Sequence, residues 1–171
     1  VRVVPSAAIQ IAARATDAHS VVIVGAAGAG KTSLATALLV DRVNRSLALT
    51  PKRSPDSSSR RSPVGLFTNT FEIAKARREH RLGDGEAHTV ALAISARILL
   101  LDELGSESDG NNTAVAELIH ARHEQDRPTI FTTPFTAQQL AARYGDGIAR
   151  RVFENAVVIR LGEIHKQGAD Q

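Results

Sequence analysis

The chain has no cysteine, no methionine and no tryptophan, and its aromatic side chains amount to one tyrosine and five phenylalanines. Without cysteine there is no disulfide, no thiol nucleophile and no cysteine-ligated zinc. No run approaches the roughly eighteen continuous apolar residues that a membrane-spanning helix requires. The N-terminal stretch VRVVPSAAIQIAARA lacks the continuous apolar core of a signal peptide and reads as a short amphipathic helix. No membrane association and a cytoplasmic compartment are the expectation. The shortage of aromatics leaves little for a base-stacking platform, so contact with single-stranded nucleic acid would rest on arginine and backbone groups. A first residue other than methionine is expected of a fragment or of a non-standard start codon.

What is present fits one domain of ordinary size spanning residues 1–171, with 43% hydrophobic and 23% charged residues. The net charge of +3 is distributed unevenly. Between Arg42 and Arg81 there are ten basic residues and three acidic ones, a local +7 on a chain that is otherwise −4. Such a segment is the footprint of nucleic-acid contact or a set of solvated arginine-rich loops, and charge alone does not choose between them. Within it, Thr50–Pro63 (TPKRSPDSSSRRSP) is a flexible Ser/Pro/Arg-rich loop with no capacity to form a core. Residues 162–171 read as a tail.

The most informative stretch is Val21–Leu39, VVIVGAAGAGKTSLATALL. A buried strand runs into Gly25-Ala26-Ala27-Gly28-Ala29-Gly30-Lys31-Thr32-Ser33, and an amphipathic helix follows. This is GxxxxGK[ST] in the strand–turn–helix setting that the pattern requires. Glycine permits the backbone conformations that turn successive N–H groups toward a phosphate, and the helix N-terminus adds its own N–H groups and dipole. Lys31 can reach the terminal phosphates and the Thr32 hydroxyl can hold Mg²⁺. With glycine near 7% of residues, the pattern arises by chance about once in 200 chains of this length. Nucleoside-triphosphate binding is therefore the expectation over an idle glycine-rich turn.

Five apolar strands alternate with helices. They are Val21–Val24, Val64–Thr68, Arg97–Leu101, Pro128–Thr133 and Ala156–Leu161. The pattern predicts a three-layer α/β domain with a five-stranded, mainly parallel sheet. Helices are expected over Ser6–Ala15, from Lys31 to near Arg42, Asn69–His80, Glu86–Ala96, within Gly110–Gln125, from Thr136 to Tyr144, and over Ile148–Glu154. Asn69 with Glu72, and Thr136 with Gln139, carry N-capping signals. The second chemical landmark, Asp102-Glu103, ends the apolar run Ile98–Leu101 where ligands bind in open α/β sheets. Asp102 suits a Mg²⁺ partner and Glu103 a group that orients an attacking water. His120 and His123 stand three apart on a helix, close enough to share a metal, but no carboxylate constellation belongs to them and they read as surface residues.

The succession GAAGAGKT, ILLLDELG, PTIFTT and YGDGIARRVFE resembles the AAA+ ATPases of the DnaC/IstB type, which are bacterial helicase loaders and transposition helper ATPases. The resemblance runs from Val21 to Leu161 apart from the Thr50–Pro63 insertion. It implies a P-loop AAA+ core with no recognisable helical lid, ATP and Mg²⁺ as ligands, and a homo-oligomer acting on DNA beside a helicase or transposase. It assigns Lys31 and Thr32 to phosphate and metal, Asp102 and Glu103 to the acidic pair, and Arg151 to an arginine finger, with Arg150 adjacent. The family's fourth strand usually ends TSN; here Thr132-Thr133-Pro134 replaces it, leaving the sensor role to the Thr132 or Thr133 hydroxyl.

Two functional classes follow. One is an ATP-hydrolysing protein acting on DNA, with Arg60, Arg61, Arg77 and Arg78 as nucleic-acid contacts. The other is a nucleotide-dependent protein-interaction module with little or no hydrolysis, which Pro134 favours. A small-molecule kinase would need an acceptor pocket and an arginine-bearing lid, and neither is recognisable.

Overall fold

The computed structural model of the protein describes residues 18–49, 62–81, 83–108 and 112–162. The expected helix Ser6–Ala15, all but the end of the Thr50–Pro63 loop, Arg60 and Arg61, and nearly all of the tail lie outside the described residues. In order, the elements are β1 (Ser20–Gly25), α1 (Lys31–Leu49), β2 (Gly65–Asn69), α2 (Thr70–Glu79), α3 (His88–Ser95), β3 (Ile98–Asp102), α4 (Asn112–Glu124), β4 (Thr129–Thr133), α5 (Ala137–Tyr144), α6 (Asp146–Phe153) and β5 (Ala156–Leu161). The strands form one sheet in the order β2-β3-β4-β1-β5, and every pairing is parallel.

Alternation along each strand divides the core into two layers, because successive side chains leave a strand on opposite faces. Val22, Leu99, Leu101 and Phe131 join one cluster, covered by α2 to α6. Val21, Ile23, Leu100 and Ile130 join the other, covered by α1 through Leu34, Ala35, Leu38 and Leu39. Strands β3 and β4 are buried along their whole length; β3 accordingly reads as an unbroken apolar run from Ile98 to Leu101, whereas β4 buries three threonines beside Ile130 and Phe131.

Helix α1 continues to Leu49, well past the end expected near Arg42. No glycine or proline interrupts Val43–Leu49. Val43 also packs so closely over Gly65 of β2 that a Cβ there would lie 2.3 Å from it. Helix α6 opens at Asp146, two residues ahead of the expected Ile148. Both capping signals are realised. Asn69 accepts from the Glu72 N–H at 2.8 Å. Thr136 with Gln139 forms a reciprocal capping box.

One buried side chain ties α3 to the sheet. Arg122, on α4, donates to the carbonyls of Ala93, Ile94 and Ala96 at the end of α3, to Pro128, and to Thr129 Oγ1. These bonds satisfy carbonyls that a helix terminus leaves unpaired. Burial, with Arg127 nearby, lowers its pKa to about 9, so it keeps its charge and all its donors at neutral pH.

Candidate nucleotide site

At the C-terminal ends of β1, β3 and β4 lies a cavity of about 340 Å³. Its first wall is the turn after β1 and the start of α1, through Ala27, Gly28, Gly30, Lys31, Thr32 and Ser33. Gly28 and Gly30 have φ of 79° and 91°. That is the left-handed region, which side chains disfavour. The turn closes with Ala29 N–H donating to the Ala26 carbonyl, and α1 begins with Leu34 N–H on the Gly30 carbonyl. Lys31 Nζ donates back across the loop to the Ala26 carbonyl at 2.9 Å.

The second wall is Glu103 and Ser106 from the loop after β3, and Pro134 from the loop after β4. Asp102 lies behind it, 7% exposed. Its two carboxylate oxygens lie 3.0 and 3.1 Å from Thr32 Oγ1, and Oδ1 accepts from Thr132 Oγ1. The glycine-loop threonine and the strand-end acid, far apart in sequence, are thus in contact.

Glu103 is exposed to the cavity and holds φ at 58°. For a residue other than glycine this conformation costs about 1–2 kcal/mol. Several bonds impose it. The Glu103 N–H donates to Thr132 Oγ1, and the Glu103 carbonyl accepts from Thr70 Oγ1 and from the Ser106 N–H. Strained backbone held by its surroundings is a mark of functional sites.

Thr132 and Thr133 are fully buried and do not line the cavity. Thr133 Oγ1 donates to the Leu104 carbonyl and accepts from the Phe135 N–H. Below the second wall, Glu107 is 3% exposed. Its carboxylate pairs with Arg143 and accepts from the Tyr144 hydroxyl, while Arg143 also donates to the Glu107 carbonyl. Burial and the bond to Glu107 push the Tyr144 phenol well above its ordinary range. Thr70, Ser106, Glu107, Arg143 and Tyr144 carried no sequence signal, because their roles come from contacts between loops and helices distant along the chain.

The remaining sequence-selected residues lie elsewhere. Arg151 donates to the Gly147 carbonyl one turn earlier and does not line the cavity, while Arg150 sits beside Glu154. Arg77 is paired with both Glu86 and Glu117, at 2.6 and 2.9 Å, so its charge is offset within the chain. Arg78 is exposed, as are His120 and His123.

Mg²⁺ prefers oxygen ligands and retains water, needing few protein groups when phosphate supplies the rest. No group of three metal-ligating side chains occurs among the described residues. The Thr32 hydroxyl and Asp102 carboxylate suit such a sparse protein contribution, and the glycine loop suits a triphosphate. No helix among the described residues is long and apolar enough to cross a membrane.

The sequence matches no protein-family model and no curated protein. Solved structures do resemble it. The DnaC helicase loader superposes with a TM-score of 0.67 at 22% identity, over 90% of this chain and 86% of that one. DnaI gives 0.65 at 21%, over 91% and 80%. The replication initiator DnaA, bound to AMPPCP and single-stranded DNA, gives 0.67 at 16%, over 94% of this chain and 47% of DnaA. At these identities the likeness is one of fold: the chain shares the five-stranded parallel α/β architecture of these structures.

Proposed function

We propose that the chain is an ATP-binding and ATP-hydrolysing AAA+ protein that acts on DNA, in the manner of helicase loaders and transposition helper ATPases. The observation that carries the reading is the contact between Thr32 and Asp102 at a cavity walled by the glycine loop and Glu103. The names of the structural relatives support it: DnaC is called a helicase loader, and DnaA is bound to AMPPCP and single-stranded DNA.

The residues divide the work. Backbone N–H groups of Gly25–Ser33 cradle the phosphates, and Lys31 leaves the Ala26 carbonyl for the terminal phosphates. Thr32 and Asp102 would hold Mg²⁺, which when bound would supply positive charge beside the phosphate oxygens. Glu103 orients the attacking water and accepts its proton. Arg151, which does not line its own cavity, serves the site of a neighbouring subunit in a homo-oligomer. DNA contact falls to the exposed Arg78 and to Arg60 and Arg61, with less from the paired Arg77.

A second reading, a nucleotide-dependent interaction module with little turnover, is favoured by Pro134 in the cavity wall. One experiment separates the two: steady-state ATP hydrolysis per subunit against protein concentration, with and without single-stranded DNA, for wild type and Arg151→Ala. We expect a specific rate that rises with concentration, responds to DNA and falls about 10³-fold or more in the variant. A flat, negligible rate with ATP still bound would select the interaction module.

A further inference from the structure

The second wall of the cavity is poor in side-chain donors. Pro134 has no N–H and no polar side chain. The two hydroxyls just before it are already used, Thr132 on Asp102 and Thr133 on the Leu104 carbonyl. A hydroxyl has one proton to donate, so neither can turn to a ligand without breaking a buried bond. Glu103, when ionised, only accepts. Ser106 differs from all of these. It lines the cavity, is exposed, and its side chain has no hydrogen-bond partner among the described residues.

Its loop is also fixed from several sides. The Ser106 N–H is held on the Glu103 carbonyl, and the Leu104 N–H on the Thr132 carbonyl. Gly105 lies so close to the Phe135 ring that a Cβ would be 2.5 Å from it. The next residue, Glu107, is pinned to α5 by Arg143 and Tyr144. A free hydroxyl on a loop this constrained is pre-organised for a ligand in the cavity.

We propose that Ser106 is the residue that reads the terminal phosphate of the bound nucleotide, its Oγ–H donating to a γ-phosphate oxygen in the place that Pro134 cannot serve. The proposal rests on the nucleotide-binding reading above and adds a discriminating residue to it. A diphosphate lacks the group that Ser106 would contact, so the hydroxyl should contribute to triphosphate affinity alone.

The test is titration of the full chain with AMPPCP and with ADP, both with Mg²⁺, for wild type and Ser106→Ala. We expect the variant to bind AMPPCP roughly 10- to 100-fold more weakly, the worth of one hydrogen bond to a charged group. ADP affinity should stay at the wild-type value, which also reports that the cavity is intact. An unchanged ratio of ADP to AMPPCP affinity overturns the proposal. Equal weakening for both nucleotides overturns it as well, because Ser106 would then shape the loop without reading the phosphate. Wild type that binds neither nucleotide would instead sink the nucleotide reading, and this inference with it.

Discussion

The two walls of the cavity are built differently. The first is a single run, Ala27 to Ser33, whose shape comes from glycine backbone freedom and the start of a helix. The second joins Glu103 and Ser106 of one loop to Pro134 of another, and the first of these loops is held by bonds to distant parts of the chain, through Glu103 to Thr70 and Thr132 and through Glu107, which follows Ser106, to Arg143 and Tyr144. The first wall offers donors and positive charge, which suits binding. The second offers a carboxylate and one free hydroxyl, which suits chemistry and discrimination. Binding and turnover should therefore be separable by mutation, and damage at a distance should reach the second wall before the first.

The largest expected effect is on turnover. Glu103→Gln should lower the ATP hydrolysis rate by about 10²–10⁴-fold while AMPPCP titration stays close to wild type. Parallel loss of binding would mean that the second wall helps hold the nucleotide, erasing the division between the walls. Next comes Arg122→Met, which removes the donor to carbonyls of Ala93, Ile94, Ala96 and Pro128. Its loss should cost about 3 kcal/mol. That predicts a melting midpoint lower by about 6–12 °C. A stability unchanged within error would show that water replaces those bonds at no cost.

Tyr144→Phe takes one donor from the buried Glu107 carboxylate. The change should cost about 1.5–3 kcal/mol in urea unfolding. A proportionate loss of ATPase rate with ADP affinity retained would tie this anchor to the second wall. The smallest effect belongs to the first wall. A Cβ added by Gly28→Ala meets nothing within 4 Å, so the cost is backbone strain at a φ of 79°. That strain amounts to about 1–2 kcal/mol, read by the same unfolding assay. A cost near zero would mean that the loop relaxes out of the left-handed conformation.

Much of the architecture is legible in the sequence. The alternation of apolar strands with capped helices announces the parallel sheet, and β5 matches its expected bounds of Ala156–Leu161. The glycine loop is legible because every part of it is contiguous. Helix ends are less so: α1 outruns its expected end, where no glycine or proline stops it before Leu49, and its Val43 packs over Gly65 of β2, a contact with no sequence spacing to announce it. In the site, the sequence points to Thr132 and Thr133 as hydroxyl donors near the nucleotide. Their hydroxyls bond instead to Asp102 and to the Leu104 carbonyl, and the cavity wall beyond them is formed by Pro134 and Ser106.

The sequence by itself determined the strand–turn–helix around Lys31, the buried runs that make the sheet, and an acidic pair at a strand end. These depend on local backbone preference and on apolar periodicity, which neighbouring residues carry. Only the tertiary structure decided which hydroxyl stays free, which arginine is buried and which is offset by carboxylates. A side chain's remaining hydrogen-bonding capacity depends on partners brought from distant positions, as when Arg77 meets both Glu86 and Glu117 or Thr32 meets Asp102.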